Sequence, residues 1–275
     1  MSTTSRYWAD WTTRDFAQRQ ALGTIGHTIA VLPVAATEQH GPHLPLSVDT
    51  ALVDGVVAAA VPHIAADVSA LFLPTQAIGL SPEHAAFGGT LTLKAETLIR
   101  LWTDIGESVA ATGVRKLGLF NSHGGQANVM DIVARDLRAR LSMLVFSVNW
   151  YGLPLKGAQG DDLNALFDAH EHRFGIHAGD IETSMMLALA PEYVEMAQAQ
   201  NFASTSEQRA QRFDILGNGK SAKLGWQMQD YNPAGAVGNA AAATAEKGRA
   251  LVDAAGRALA QLLGEVHQVD APLRA

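Results

Sequence analysis

What most constrains this chain is an alternation of two patterns. Short, mainly apolar runs recur at residues 28–34 (TIAVLPV), 71–74 (LFLP), 117–120 (LGLF) and 142–149 (SMLVFSVN). Between them lie longer segments whose apolar residues return at helical spacing. Runs that are apolar at every position, with no polar alternation, predict strands buried on both faces of a sheet. Asp49 or Thr50 is the expected cap of a helix that runs to about Ala60 and stops before Pro62. Leu98, Leu101, Trp102, Ile105 and Val109 predict a second helix, capped at Thr92 and stopped at Gly113. Val129, Ile132, Val133, Leu137 and Leu141 line a third, and Leu251, Val252, Ala255, Leu259 and Leu262 a fourth. Strands and helices in this order predict an α/β fold: a layered, mostly parallel sheet flanked by helices.

The chain has 275 residues, enough for one large core, and residues 1–275 are expected to form a single domain. Residues 201–238 are less periodic and richer in Gly, Ser, Gln and Asn, and read as a long excursion or lid. The alanine-rich 240–243 reads as the approach to the last helix. There is no internal repeat and no low-complexity tract.

Composition narrows the function. A net charge of −7 argues against a nucleic-acid or anionic-membrane binder, since both need Lys and Arg in excess. No apolar run is long enough to span a bilayer, and the first ten residues lack the apolar core of a signal peptide. A cytoplasmic protein is expected. With no cysteine there is no disulfide, thiolate zinc site or cysteine nucleophile, so any metal must be held by nitrogen and oxygen.

Three polar clusters carry the chemistry. Glu38-Gln39-His40-Gly41-Pro42-His43, followed by Asp49, lies just past the first strand. Glu38 and His40 are two residues apart, so an extended chain points them the same way. Asn121-Ser122-His123-Gly124-Gly125 follows the third strand, and its glycines let backbone approach a ligand. His177-Ala178-Gly179-Asp180-Ile181-Glu182-Thr183-Ser184 leads into the apolar run 185–189. Taken singly, these are a polar turn, a loop histidine and first-turn acids serving a helix dipole. Ligands of parallel α/β sheets gather beyond the carboxyl ends of the strands, where the first two clusters fall. Three carboxylates and two histidines could there hold two divalent cations, with Asp49 between them. Such a pair of ions activates water at neutral pH, and a nearby unligated histidine can move protons to a leaving nitrogen.

These motifs, taken in order, resemble the signature of the creatininase (creatinine amidohydrolase) family. The first runs from Thr37 to Pro45 and is followed by Asp49; the second is the Asn121–Gly125 motif and the third the His177–Ser184 motif. Weaker echoes are Ser81-Pro82-Glu83-His84, Phe87-Gly88-Gly89-Thr90, and segments 235–238 and 244–248. The likeness spans about residues 28–250. It implies a creatininase-like layered fold, a binuclear site and a homohexamer built from dimers. It implies that Glu38, Asp49 and His123 hold one metal, that His40, Asp49 and Glu182 hold the second, and that His177 is the acid/base. The metals implied are zinc with manganese or iron. Ser81, His84, Gly124, Gly125, Trp150 and Arg173 are the expected substrate-binding positions.

Creatininase itself carries Tyr and Glu where this chain has Gly124 and Gly125, the Glu being an extra ligand to the first metal, and a Trp where it has Arg173. These departures point away from creatinine, toward another small cyclic amide or formamide, a formylamino-pyrimidine nucleotide or a peptide end. A metal-retaining protein without turnover is the alternative. Dinucleotide binding is disfavoured, because no G-x-G-x-x-G loop follows the first strand. His43 is expected to support the site from behind, His63 to end a helix, His170 and His172 to be solvated, and Trp102 to lie in the core.

Overall fold

The computed structural model describes residues 5–269. Its centre is a four-stranded, wholly parallel sheet in the order β2-β1-β3-β4. The strands are β1 (Ile29–Val34), β2 (Ala70–Phe72), β3 (Lys116–Asn121) and β4 (Leu144–Asn149). A small antiparallel pair, β5 (Asn201–Phe202) and β6 (Gly238–Asn239), lies apart from it. The helices are α1 (Thr13–Ala21), α2 (Val48–Ala60), α3 (Ala95–Ala111), α4 (Ala127–Leu141), α5 (Ala169–Phe174), α6 (Asp180–Leu189), α7 (Thr205–Arg212), α8 (Met228–Tyr231) and α9 (Ala245–Gln268).

Successive β1 side chains enter opposite cores, as the pleat requires. Ile29 and Val31 join a core built with α2, α6 and α9, while Ala30, Leu32 and Val34 join one built with α3 and α4. Each fully buried aliphatic side chain contributes about 1.5–3 kcal/mol. The result is a helix–sheet–helix sandwich; β1, β2 and β3 are buried throughout, whereas β4, at the sheet edge, is only partly buried beyond Leu144. Pro33 sits in a central strand, where proline is rare. Its carbonyl accepts from Gln76 on the β2 side, so its nitrogen faces that side too, beyond the last paired residue of β2. No ladder bond is lost there.

The structure corrects some local expectations. Ser47, not Asp49 or Thr50, stands at the N-cap of α2; Asp49 lies within the first turn. Lys94, not Thr92, precedes α3; Thr92 instead accepts the Ser81 backbone N–H at 2.8 Å. Ile132 is exposed on α4 and Met130 takes its place in the core. Trp102 is fully buried, as expected of a core residue. Gly113 follows α3 with φ +99°, a conformation that suits glycine. The 201–238 excursion carries β5, α7 and α8. No helix among the described residues is long and apolar enough to cross a membrane.

Candidate metal centre

The three polar clusters meet beyond the carboxyl ends of β1 and β3. At the end of β3, Asn121 fixes the turn that follows. Its Oδ1 accepts from the His123 backbone N–H (3.0 Å) and from Gln126 Nε2 (2.9 Å), while its Nδ2 donates to the His123 carbonyl and to Asn149. Gln126 also donates to the Ala35 carbonyl, tying the exits of β1 and β3 together. Asp49 enters from the first turn of α2, whose backbone is tied to the same place: its carbonyl accepts from Ser122 Oγ at 2.7 Å. Glu182 enters from the first turn of α6, where its Oε2 accepts the Ala178 N–H. Ala178 itself has φ +55°, a strained conformation for a residue with a side chain.

Glu38, Asp49 and His123 bring ligand atoms within 4.8 Å of one another, and His40, Asp49 and Glu182 do the same. Asp49 belongs to both sets. His123 Nδ1 lies 3.2 Å from Glu38 Oε1 and 3.5 Å from Asp49 Oδ2. His40 Nδ1–H donates to the Glu38 carbonyl at 3.0 Å, which leaves Nε2 facing Asp49 Oδ1 at 3.7 Å. Glu38 Oε2, His40 Nε2 and Asp49 Oδ2 are buried without a hydrogen-bond partner. A buried polar atom without a partner costs about 1–3 kcal/mol, so three in one place fit cation ligands better than structural groups. Nitrogen and carboxylate donors are the set that zinc, manganese and iron accept.

The electrostatics agree. Burial opposes the ionisation of Glu38, but His123 outweighs it and holds the carboxyl well below the usual range. Burial likewise disfavours the His123 cation, yet the Glu38 charge carries it up to about 10. His40 is raised to about 9 against its burial, by Asp49. Burial and the Glu38 charge raise Asp49. Loss of solvation raises Glu182 to about 7. The cluster thus gathers negative charge that attracts protons to its histidines, and divalent cations in the same way.

His177 is outside these two sets, but with Glu38 and His40 it forms a third group whose ligand atoms lie within 4.8 Å of one another. Its Nε2–H donates to the Gln39 carbonyl at 2.8 Å, and its Nδ1 lies 4.0 Å from Glu38 Oε1. Burial, reinforced by His40 and His84, holds the ring well below its ordinary pKa, so it is neutral. Its ring centre is 4.2 Å from that of His40 and 4.3 Å from that of His84. His84 accepts from the Gln39 amide at Nδ1 and turns Nε2 to Glu38 Oε1 at 3.4 Å. His43 lies behind the site, with Nε2 2.9 Å from Thr183 Oγ1 and its ring stacked on Phe202.

These groups floor a cavity of about 850 Å³. His84, Gly124, Gly125 and Trp150 line it, but two expected substrate contacts do not. Ser81 lies buried behind His123, its Oγ 3.3 Å from Nε2. Arg173 is exposed, donates to the Gly217 carbonyl and lies over Phe174, outside the cavity. His172 was expected to be solvated; it is exposed yet on the cavity wall, its Nε2–H donating to the Asn164 carbonyl. Sequence reasoning missed Glu83, Tyr151, Phe167 and Trp226, all at the cavity. Glu83 lay within a motif already noted; Tyr151 follows Trp150; Trp226 was hidden in the aperiodic excursion.

The fold and this cluster define a layered α/β protein with its polar centre at the sheet's carboxyl edge. The family model described as creatininase, creatinine amidohydrolase, matches residues 9–263, and the chain belongs to that family. Over 226 residues it is 31% identical to the mycofactocin precursor peptide peptidase of Mycobacterium ulcerans (strain Agy99), covering 80% of this chain and 78% of that one. Over 239 residues it is 27% identical to the 3-dehydro-scyllo-inosose hydrolase of Thermotoga maritima, covering 82% of this chain and 73% of that one. A solved manganese structure of creatininase superposes with a TM-score of 0.72 at 24% identity, covering 97% of this chain and 100% of that one. Relatives of the chain within the family are hydrolases by name, and the chain is a creatininase-family hydrolase.

Proposed function

We propose that this protein is a two-metal amidohydrolase that cleaves a C–N bond of a small cyclic amide or formamide other than creatinine. The observation that carries the reading is the pair of ligand sets sharing Asp49, with unpartnered buried atoms on Glu38, His40 and Asp49. Glu38, Asp49 and His123 would hold one ion; His40, Asp49 and Glu182 would hold the other. Zinc with manganese or iron suits these donors. When bound, such a pair supplies an acidic water and an electrophile for the substrate carbonyl.

The chain supplies the rest. The Gln39 carbonyl fixes the proton of His177 on Nε2, so Nδ1 is the free base, on the Glu38 side of the ring. His177 takes a proton from the attacking water at Nδ1 and returns it to the leaving nitrogen. General acid–base transfer of this kind contributes about 10²–10⁴-fold in rate. The Gln39 amide, anchored on Gly235, orients His84 so that its Nε2–H supports Glu38. Trp150, Tyr151, Phe167 and Trp226 line the cavity.

The cavity favours a second reading within the same chemistry. About 850 Å³ takes a far larger ligand than a five-membered ring, so an extended amide such as a peptide end or a nucleotide is the alternative substrate. A panel of lactams, formamides, short peptides and creatinine, assayed before and after chelation, tests both. Turnover of a panel member that chelation abolishes supports the proposal. A protein that binds two metals and turns over none supports the non-catalytic alternative. Assembly as a hexamer is part of the proposal, and sedimentation tests it.

A further inference from the structure

Gly125 is a position where no side chain fits. A methyl group there would overlap the Glu83 carboxylate and crowd His123 Nε2. The glycine therefore leaves open the space through which Glu83 reaches the histidine. Glu83 comes from a different loop, the 3-10 turn Pro82–His84 beyond β2, and is buried. Its Oε1 lies 3.6 Å from His123 Nε2. The same nitrogen meets the Leu80 carbonyl at 3.0 Å and Ser81 Oγ at 3.3 Å. A carbonyl can only accept, so Nε2 carries a proton, and Nδ1 is the nitrogen that faces Glu38 and Asp49. Leu80, Ser81 and Glu83 thus form an acceptor cradle behind the ring, and Glu83 is its one charged member.

We propose that Glu83 is a positioning residue for the first metal. The Leu80 carbonyl fixes the tautomer; the Glu83 carboxylate, admitted by Gly125 to 3.6 Å from Nε2, favours the ring orientation that presents Nδ1 to the ion. The proposal rests on the two-metal reading above. A carboxylate behind a ligating imidazole fixes its orientation and raises its basicity, and loss of such a partner weakens metal binding by about 10–100-fold.

Zinc titration of the full chain against a chromophoric chelator tests this on Glu83→Gln and Gly125→Ala. Glu83→Gln should weaken one zinc site by about 10–100-fold and leave the other within a few-fold of wild type. Metal-free melting of that isosteric variant should match wild type, which separates the effect from folding. Gly125→Ala should weaken the same site too, since its methyl group would overlap the Glu83 carboxylate and crowd His123 Nε2. Wild-type zinc affinities in Glu83→Gln, or equal weakening of both sites, would overturn the proposal. If wild type binds no zinc, the two-metal reading fails with it; if wild type binds two and Glu83→Gln binds both as tightly, this proposal alone fails.

Discussion

Asp49 turns one carboxylate oxygen toward His123 Nδ1, at 3.5 Å, and the other away from it toward His40. A single short side chain in the first turn of a helix therefore faces two ligand sets that come from different loops. The backbone N–H groups of that turn favour its negative charge. The arrangement makes the two sets interdependent, and the predictions follow from it.

His177 should act without binding metal. Replacing it with Asn keeps a polar group but removes the titrating nitrogen. We expect kcat to fall by about 10²–10⁴-fold with metal content unchanged. Elemental analysis beside steady-state kinetics checks this, and loss of a metal ion from the variant would make His177 a ligand instead.

Metal and protons compete for the same atoms. His40 and His123 rise from 6.5 to about 9 and about 10 in the fold. A raised histidine stabilises the metal-free protein below its unfolded pKa of 6.5, and that stability is lost as pH rises through the folded value. The metal-free protein should therefore weaken between pH 6.5 and 10. A metal needs the neutral rings, so the loaded protein should gain relative to it over the same window. Thermal melts of chelated and reconstituted samples across this range test the sign. Parallel pH profiles for the two samples would contradict it.

Asp180 and Glu182 share one helical turn and have different fates. Asp180 Oδ2 pairs with Lys247 Nζ at 2.6 Å, and its Oδ1 accepts from Ser184, tying α6 to the start of α9. Asp180→Asn should cost about 1–3 kcal/mol of stability and leave metal content intact. Glu182→Gln should do the reverse, removing metal with a small effect on metal-free stability. Denaturant melts together with metal analysis separate the two.

Arg173 should be dispensable. Its guanidinium is bound to the Gly217 carbonyl outside the cavity. Arg173→Ala should change kcat/KM by less than about 3-fold, since surface substitutions away from special features stay within about 0.5 kcal/mol. Trp226→Ala, on the cavity wall, should raise KM by far more. Equal effects would return Arg173 to the substrate site.

The sheet was legible because parallel strands buried on both faces must be apolar at every position, and β1 is buried from Ile29 to Val34. That Glu38, His40, Asp49, His123 and Glu182 come together was legible because each follows a strand or opens a helix, where the topology gathers side chains. Helix caps were less so: Thr92 has the chemistry of a cap, but tertiary packing gives its hydroxyl to Ser81. Glu83 was overlooked because its approach to Gly125 and His123 joins segments far apart in the chain. Arg173 was misplaced because its neighbour in space, Gly217, belongs to the aperiodic excursion, which carries no pattern from which to read its path.

Metal stoichiometry of wild type against Asp49→Asn tests the shared-ligand site most directly. After reconstitution and desalting, elemental analysis should find about two divalent ions per wild-type chain, and fewer than about one per chain in the variant, with hydrolysis lost. Loss is expected at both sites because Asp49 serves both sets. A wild-type chain that keeps no metal, or an Asp49→Asn chain that keeps two and still turns over substrate, would contradict the account.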